Sequence, residues 1–308
     1  MDDISSQPVL RHIAVGGAAA CHGGQRQMAY WDWAAQTPEM SRHVVICVHG
    51  LSRQGRDFDA LARALRGQAR VLSVDVAGRG YSDWLADPLQ YQLAQYASDL
   101  ATLALQVRRE TPDAVIDWVG TSMGGLIGMA IAAQPALGIR RLVLNDVGPV
   151  IQWPALQRIA AYLGLNPSFD SEQAAADYLG SISTGFGPHS PTEWQALSRP
   201  MLRERDGRWW LHYDPALAVP FKALTEAEDG QATAQAGEAA LWGLYDAIQA
   251  RTLLLRGADS DLLTQATAEA MGQRGPRAHC IEFEGVGHAP TLVAEDQIAA
   301  VRSFLLGA

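Results

Sequence analysis

Short apolar runs rich in β-branched residues alternate with helical patterns along most of the chain. Six of these runs fit strands, at residues 44–48, 71–75, 115–119, 141–145, 252–256 and 279–283. Runs that are apolar throughout, without a polar residue at every second position, are typical of strands buried on both faces of a parallel sheet. The alternation therefore predicts an α/β fold, in which a mostly parallel sheet carries helices on both faces.

Two segments outside these runs have the spacing of amphipathic helices. Apolar residues recur every three or four positions from Leu93 to Val107, and again from Ile298 to Leu305. This spacing places them on one side of a helix. Both segments are predicted to be helices that cover the sheet.

The alternation stops between residues 150 and 246, where a segment rich in Ala, Trp, Pro and Gly stands in place of the next strand. A stretch of this length is too long for a loop without secondary structure. Helical patterns at residues 156–163 and 172–179 fit a mainly helical insertion on top of the sheet. The core domain is then predicted to comprise residues 1–149 and 247–308, with the insertion at residues 150–246.

Composition and charge exclude several classes of protein. Of the 308 residues 48% are hydrophobic and 19% are charged, and no apolar run approaches the roughly 20 residues of a membrane span, which excludes collagen, disordered and integral membrane proteins. The 24 basic and 33 acidic residues give a net charge of −9, and Lys222 is the only lysine. Because binding to a phosphate backbone requires clustered basic residues, we do not expect nucleic acid as a partner. Because no apolar run is long enough to span a membrane, we do not expect a membrane as a partner either.

Cysteine and histidine usage indicates neither a disulfide framework nor a metal site. Cys21, Cys47 and Cys280 are odd in number and far apart, and His189 and His212 have no partner at the spacing of metal ligands. No metal and no cofactor are therefore expected. A reducing cytoplasm is the predicted location.

The residues before Cys21 superficially resemble a lipoprotein cleavage site. Asp2 and Asp3 stand where a secretory signal carries basic residues, and glycines interrupt the apolar stretch. We interpret residues 18–21 as part of an opening strand, with export as the alternative.

The sequence G-T-S-M-G at residues 120–124 fits the pattern G-x-S-x-G and directly follows a predicted strand. Small and apolar residues at 125–133 follow it as a predicted helix. In a nucleophile elbow the serine occupies a sharp turn between strand and helix, and the residues two before and two after it must be small because the two elements approach closely. Gly120 and Gly124 meet this requirement, so Ser122 is the predicted nucleophile.

Three further motifs accompany this pentapeptide. They are H-G at residues 49–50, D-V-A-G-R-G-Y-S-D at residues 75–83 and G-V-G-H at residues 285–288. With these motifs, residues 44–306 resemble the α/β-hydrolase fold superfamily, and specifically a serine esterase with a helical cap domain. The insertion at residues 150–246 falls where this superfamily carries its cap, or lid. The resemblance implies a catalytic triad of serine, acid and histidine in this chain order.

His288 is the predicted base of that triad, because it lies after the last predicted strand, across a short turn. A neutral imidazole within hydrogen-bond reach of Ser122 accepts the hydroxyl proton and later passes it to the leaving group. In related enzymes the backbone N–H groups that follow the His-Gly pair and the nucleophile form the oxyanion hole, which implies Leu51 and Met123 here. The side chain of His49 is interpreted as a packing or hydrogen-bonding group.

The acid of the triad is ambiguous from the sequence. Most of the superfamily carries it three residues beyond the glycine that ends the penultimate core strand, and counting from Gly257 that position is Ser260. Asp259 and Asp261 flank this position, and a bulge or a shifted turn would bring in either. Asp146, directly after an earlier predicted strand, is the other candidate, because a minority of related hydrolases carry the acid there. We prefer Asp146, with Asp261 as the alternative and Asp259 third.

Two arginines follow the predicted oxyanion loop. A cation at Arg53 or Arg56 beside the nucleophile would bind a carboxylate of the substrate, and the alternative is a solvated loop. We take Arg53 as the predicted substrate contact. Tryptophans in or beside the insertion either line an apolar acyl pocket or pack the insertion itself. They are Trp153, Trp194, Trp209, Trp210 and Trp242.

These residues predict a serine hydrolase that cleaves a small-molecule carboxylic ester with a small or medium acyl group, through an acyl-enzyme. Ser122 stands where aspartate-nucleophile relatives carry aspartate, which disfavours dehalogenase or epoxide hydrolase chemistry. One alternative is a C–C bond hydrolase of meta-cleavage products, although such enzymes often have an aromatic residue after the histidine, where Ala289 stands here. The other is a non-catalytic small-molecule receptor on the same fold. The sequence specifies no oligomeric state.

Overall fold

A computed structural model describes residues 7–16 and 25–307 of the chain. Its strands are β1 (Val9–Val15), β2 (Arg26–Trp33), β3 (His43–Val48), β4 (Arg70–Val74), β5 (Val115–Thr121), β6 (Ile139–Asn145), β7 (Ser168–Phe169), β8 (Leu202–Arg205), β9 (Arg208–Leu211), β10 (Arg251–Gly257) and β11 (His279–Phe283). Its α-helices are α1 (Asp59–Leu65), α2 (Leu93–Glu110), α3 (Met123–Ala132), α4 (Trp153–Tyr162), α5 (Glu172–Ile182), α6 (Pro191–Ser198), α7 (Ala218–Thr225), α8 (Gly230–Asp246), α9 (Gln265–Gln273) and α10 (Glu295–Leu306). In this described part of the chain, no helix has both the length and the apolar character that crossing a bilayer requires.

Within the described residues, eight strands form the central sheet in the order β1-β2-β4-β3-β5-β6-β10-β11. From β4 to β11 neighbouring strands run parallel, whereas β1 with β2 and β2 with β4 are antiparallel. The six strands predicted from the apolar runs are all present, with ends that differ by at most two residues. The predicted α/β fold with a mostly parallel sheet is confirmed.

The first two strands escape the sequence-based prediction because neither contains a continuous apolar run. In β1 the buried side chains are Ile13 and Val15, and the preceding residues are polar or partly exposed. In β2 polar residues such as Gln27 and Asp32 interrupt the apolar ones. The opening strand predicted at residues 18–21 lies outside the described residues.

Apolar side chains of the central strands pack on both faces of the sheet. In β3, Val44, Ile46 and Val48 belong to one core cluster, whereas Val45 and Cys47 belong to the other. The first cluster includes residues of α2 and α3, and the second includes residues of α1 and α10. Because alternate residues of a strand point to opposite faces, a strand with helices on both faces must be apolar at every position. The two predicted helices lie within α2 and α10 and cover opposite faces.

The segment at residues 150–246 contains α4 to α8 and, in its described residues, a three-stranded antiparallel sheet in the order β7-β9-β8. The two predicted helical patches correspond to α4 and α5. The small sheet departs from the mainly helical prediction. Its β8–β9 turn is formed by Asp206 and Gly207, with φ of 53° and 70°, and Asp-Gly is a strong hairpin signal. The assignment of the segment as a separate cap domain stays a prediction.

Two glycines allow β5 and α3 to meet at close range. A Cβ atom on Gly124 would lie 1.9 Å from the carbonyl oxygen of Val48, and one on Gly120 would lie 2.2 Å from the carbonyl oxygen of Gly124. Both obstacles are backbone atoms, which cannot rotate away as a side chain does. The packing of β5, α3 and β3 therefore requires small residues on both sides of Ser122.

Replacing Gly124 with alanine is expected to destabilise the protein by more than ~4 kcal/mol, because β3 or α3 must shift to admit the methyl group. Gly237→Ala is the matched control, since nothing lies within 4 Å of a Cβ at that exposed position of α8. Alanine there is expected to raise the free energy of unfolding by up to ~1 kcal/mol. Urea denaturation measures both variants, and a Gly124→Ala protein as stable as the control would contradict the close approach.

Candidate active site

Ser122 lies in the sharp turn between β5 and α3. Its backbone angles are φ 52° and ψ −118°, a region that residues other than glycine seldom adopt. The Ser122 N–H donates to the carbonyl of Asn145 at 2.9 Å, so the end of the neighbouring strand β6 holds the turn. Strained backbone that is held in this way clusters at functional sites. The serine thus occupies the strand-turn-helix context that the pattern G-x-S-x-G requires.

His288 connects Ser122 to Asp146 through both of its ring nitrogens. The distance from His288 Nε2 to Ser122 Oγ is 2.9 Å, and the distance from Nδ1 to Asp146 Oδ2 is 2.7 Å. Because an ionised carboxylate accepts hydrogen bonds and cannot donate them, Nδ1 carries the hydrogen of the neutral imidazole. The lone pair of Nε2 then faces the serine hydroxyl. The arrangement can move a proton from Ser122 onto the imidazole while the carboxylate holds the ring in place.

Asp146 follows β6 with φ 55°, and its side chain is fully buried. Oδ1 accepts from the backbone N–H of Gly257 at 2.9 Å, and Oδ2 accepts from Ser260 Oγ at 2.6 Å as well as from His288. These three donors provide the hydrogen bonds that a buried carboxylate requires. Ser260, at the position where most of the resembled enzymes carry their acid, is here a hydrogen-bond donor to the acid candidate.

The other two aspartates considered for the acid are not hydrogen-bonded to His288. Asp261 forms an ion pair with Arg158 of α4 at 2.8 Å, and about half of each side chain is exposed. Asp259 lines a cavity beside the serine but makes no hydrogen bond to the imidazole. Of the three candidates, Asp146 is the one that is hydrogen-bonded to the imidazole.

The backbone N–H groups of Leu51 and Met123 have no hydrogen-bond acceptor among the residues that the structure describes. Met123 is the first residue of α3, where N–H groups have no partner within the helix. The helix dipole adds a partial positive charge at this end. Leu51 lies in the loop after β3, and both residues border the space in front of Ser122. Two unpaired N–H groups beside a serine can stabilise a negatively charged oxygen.

His49 stabilises the loop that contains Leu51 through two hydrogen bonds. The His49 ring is fully buried, its Nδ1 donates to the carbonyl oxygen of Gly50 at 2.6 Å, and its Nε2 accepts from the N–H of Val76 at 3.0 Å. Burial lowers the pKa of His49 to about 3, so the ring stays neutral and keeps both hydrogen bonds at ordinary pH. The side chain therefore has a hydrogen-bonding role between β3 and the residues after β4.

Arg79 is a fully buried residue of the site that sequence reasoning did not find. Its guanidinium donates to the carbonyl oxygens of Leu51 at 2.8 Å and Ala77 at 2.6 Å and to the hydroxyl of Tyr96 at 3.0 Å, and it lies 3.5 Å from Met123 Sδ. No carboxylate of the described chain is among these partners. A buried positive charge thus touches both residues with unpaired N–H groups. The turn motif in the sequence gives no indication of where this side chain points.

Arg53 borders Ser122, whereas Arg56 pairs with a neighbouring aspartate and lines a different cavity. Arg53 is nearly buried and donates to both carboxylate oxygens of Asp57, at 2.7 and 2.6 Å, and to the carbonyl of Leu197 at 3.0 Å. These bonds use Nε and Nη2. In the described chain, Nη1 of Arg53 has no hydrogen-bond acceptor, and the guanidinium carbon lies 5.5 Å from the centre of the Phe186 ring.

Two cavities meet at Ser122. The first, which we call the histidine cavity, has a volume of about 530 Å³ and is lined by His288, by Arg53 and by apolar and hydroxyl side chains of the inserted segment. The second, which we call the apolar cavity, has a volume of about 340 Å³ and is lined mainly by apolar side chains of α2, α3, α4, α7, α8 and the loops between them. Leu51, Ser122 and Ile159 line both cavities. The serine hydroxyl is therefore accessible from two sides.

Tryptophans do not line either cavity at the serine. Trp194 packs against Phe186 with 6.5 Å between ring centroids, and Trp242 packs against Tyr245 with 5.7 Å. The guanidinium of Arg274 covers the Trp242 ring at 4.2 Å. Of the two interpretations of the tryptophans, packing fits the structure and the acyl pocket is wrong.

Candidate metal ligands are dispersed over the part of the chain that is described. No three His, Cys, Asp or Glu side chains come together there in a group that could hold a metal ion. His189 is hydrogen-bonded to Thr291 and to the carbonyl of Gly187, and His212 packs edge-on against Tyr81. Both histidines thus have structural contacts.

Comparison with known proteins points to one family. A family model described as an alpha/beta hydrolase family matches residues 45–301. A crystal structure of an alpha/beta hydrolase from Novosphingobium aromaticivorans has a TM-score of 0.80 and 31% sequence identity, and the match covers 97% of this chain and 98% of that one. The fold and the sequence are therefore similar over nearly the whole chain.

Two curated relatives carry names that describe an activity. A 3-hydroxybutyrate-oligomer hydrolase of Cupriavidus necator is 47% identical over 309 residues, which cover 99% of this chain and 100% of that protein. An esterase of Mycobacterium tuberculosis is 28% identical over 292 residues, which cover 89% of this chain and 84% of the relative. Both names describe hydrolysis of an ester.

Proposed function

Because the chain belongs to the alpha/beta hydrolase family, we propose that it is a serine hydrolase that cleaves carboxylic esters of small or medium acyl groups through an acyl-enzyme. The observation that carries this proposal is the continuous chain of hydrogen bonds from Asp146 through His288 to Ser122. The relatives named as hydrolase and esterase support it. The name of the 47% identical relative leads us to propose linear 3-hydroxybutyrate oligomers as the substrate class.

The first half of the reaction forms a bond between Ser122 Oγ and the carbonyl carbon of the ester. As Oγ attacks, its proton moves to His288 Nε2, and Asp146 stabilises the resulting imidazolium. Negative charge develops on the carbonyl oxygen, which accepts from the N–H groups of Leu51 and Met123. Each such donor lowers the barrier by ~3 kcal/mol.

The second half of the reaction returns the enzyme to its starting state. When the tetrahedral intermediate collapses, the bond to the alcohol oxygen breaks and His288 Nε2 protonates that oxygen. A water molecule then attacks the acyl-enzyme, gives its proton to the same nitrogen, and releases the acid with recovery of the Ser122 hydroxyl. Apart from the ester and this water molecule, the proposed steps use only groups of the chain and no cofactor.

Two further assignments complete the proposal. We assign Arg53 as the contact for a substrate carboxylate, since this residue lines the histidine cavity together with Ser122 and its Nη1 has no acceptor in the described chain. We assign residues 150–246 as a cap, because side chains of this segment line both cavities at Ser122. The cytoplasmic location stays a prediction.

Turnover and labelling of the wild-type protein test the proposed function. The substrates are p-nitrophenyl butyrate, linear 3-hydroxybutyrate oligomers and a dienoate meta-cleavage product, and a fluorophosphonate probe is mapped by peptide mass spectrometry. We expect hydrolysis of both esters and the label on Ser122. Turnover of the dienoate alone would favour the C–C bond hydrolase, and binding of esters without turnover would favour the receptor.

Arg79→Met is expected to lower kcat by about 10- to 100-fold with little change in KM, because Leu51 loses the donor that fixes its carbonyl and the site loses a buried positive charge. Arg79→Lys keeps the charge but not the planar set of donors, so its kcat is expected to lie between those of Arg79→Met and the wild type. Steady-state kinetics with p-nitrophenyl butyrate measure the effect. A lower melting temperature with unchanged kcat would instead assign Arg79 to stability alone.

A further inference from the structure

The two cavities reach Ser122 from different sides and differ in chemistry. His288 and its neighbours Gly287 and Ala289 line the histidine cavity and are absent from the lining of the apolar cavity. Met123, the first residue of α3, lines the apolar cavity only. An ester bound at the serine therefore has one part beside the imidazole and the other part beside α3.

Proton transfer decides which part of the ester lies on which side. The oxygen that leaves must receive its proton from His288 Nε2, and a general acid acts within hydrogen-bond distance of its target. The alcohol part must then extend into the cavity that the imidazole borders. The acyl part, on the other side of the carbonyl carbon, extends into the other cavity.

We propose that the acyl chain of the substrate occupies the apolar cavity and that the alcohol part occupies the histidine cavity, with a carboxylate of the alcohol bound by Arg53. This orientation rests on the proposed ester hydrolysis at Ser122. For a linear oligomer of a hydroxy acid it has a defined consequence. The bond that breaks is the ester nearest the free carboxylate, and the first product is the hydroxy acid from that end.

The lining of the apolar cavity fits a hydrocarbon chain. Apolar residues of helices and loops form most of it, including Leu126, Leu156, Phe221 and Leu241, and Glu238 is the acidic residue in this lining. Two tyrosines also border it, but their hydroxyl groups are hydrogen-bonded to Asp214 and to Arg79. The cavity volume of about 340 Å³ leaves room for an acyl chain of several carbons.

The lining of the histidine cavity combines apolar side chains, such as Leu179 and Met201, with hydroxyl and charged side chains, so it fits an alcohol part that has both a hydrocarbon stretch and a carboxylate. Ser181, Ser183 and Thr184 are among its lining residues, and so is the nearly buried Arg53, whose Nη1 has no acceptor in the described chain. A carboxylate at Nη1 would form a charge-assisted hydrogen bond away from bulk water. Arg53 and Arg158 are each paired with a carboxylate, Asp57 and Asp261 respectively, but Arg53 is nearly buried whereas Arg158 is about half exposed. The exposed Asp259 is the remaining charged side chain of this lining.

Two substitutions of matched size test the orientation. Leu241 on α8 lines the apolar cavity and Ile182 at the end of α5 lines the histidine cavity, and both are half-buried. Each is replaced by tryptophan, and kcat/KM is measured on two series of esters. One series varies the acyl chain of p-nitrophenyl esters from acetate to octanoate, and the other varies the alcohol of butyrate esters from methanol to hexanol.

We expect a separate effect for each variant. Leu241→Trp lowers kcat/KM for octanoate relative to acetate by about tenfold or more. Its kcat/KM values depend on the length of the alcohol in the same way as those of the wild type. Ile182→Trp lowers kcat/KM for hexyl butyrate relative to methyl butyrate. Its kcat/KM values depend on the length of the acyl chain in the same way as those of the wild type. The reverse assignment, with Leu241→Trp affecting the alcohol series, would overturn the orientation. Absence of turnover in the wild-type protein would instead refute the proposed function, so the two failures are distinguishable.

The position of the first cut in an oligomer tests the carboxylate contact. A 3-hydroxybutyrate trimer with isotope in its carboxyl-terminal unit is expected to release labelled monomer first, and its methyl ester is expected to react at least about tenfold more slowly. Arg53→Gln should remove this preference for the free acid. The double variant Arg53→Gln/Asp57→Asn should do the same without leaving a buried carboxylate unpaired. Unlabelled monomer as the first product, or equal rates for acid and methyl ester in the wild type, would overturn the proposal.

Discussion

Ser122→Ala is expected to abolish ester turnover, with a loss of about 10⁶ in kcat, because the variant has no atom that can form the acyl-enzyme. Stability is expected to change by less than ~1 kcal/mol, since alanine lacks only one hydroxyl at a position that two cavities reach. The backbone strain at φ 52° is the same for both residues. Kinetics with p-nitrophenyl butyrate and the fluorophosphonate label measure activity, and thermal unfolding measures the fold.

The matched control for this substitution is Ser98→Ala. Ser98 is an exposed serine on α2 that lines neither cavity. The control is expected to keep both the turnover and the label of the wild-type protein. If Ser122→Ala still took up the fluorophosphonate, another residue would be the nucleophile and the proposed mechanism would be wrong.

Local sequence patterns predicted the parts of the fold that depend on near neighbours. The strands of the central sheet could be found because burial on both faces imposes an apolar residue at every position, as in β3. The strand-turn-helix at Ser122 could be found because Gly120 and Gly124 are required wherever β5 and α3 meet this closely. Both requirements act within a few residues of the chain.

The parts that escaped prediction depend on which distant loops meet. Whether Asp146 or Asp261 reaches His288 is decided by the ends of β6 and β10, which are neighbours in the sheet and more than a hundred residues apart in sequence. The hydroxyl of Ser260 could be recognised as a donor to Asp146 only from their distance of 2.6 Å. Arg79 escaped for the same reason, since its bond to the carbonyl of Leu51 joins two loops.

Asp146→Asn is expected to lower kcat by ~10⁴ with little change in KM. The carboxylate accepts the Nδ1–H of His288 and thereby leaves the lone pair of Nε2 facing Ser122. An amide nitrogen at that position would donate to Nδ1 and shift the hydrogen to Nε2, which could then no longer accept the serine proton. Asparagine keeps one oxygen for the N–H of Gly257, so the fold is expected to survive. Kinetics and circular dichroism of the variant measure the two effects.

Asp261→Asn is the comparison that assigns the acid. This change breaks an ion pair with Arg158 in which both side chains are about half exposed, and such pairs contribute at most ~1 kcal/mol of stability. Turnover is expected to remain close to that of the wild type, because Asp261 is bonded to Arg158 and is not hydrogen-bonded to His288. A severe loss in Asp261→Asn with a mild one in Asp146→Asn would show that the turn after Gly257 rearranges to deliver Asp261 during catalysis. Equal moderate losses would mean that the two carboxylates share the histidine, and then neither aspartate would be the sole acid.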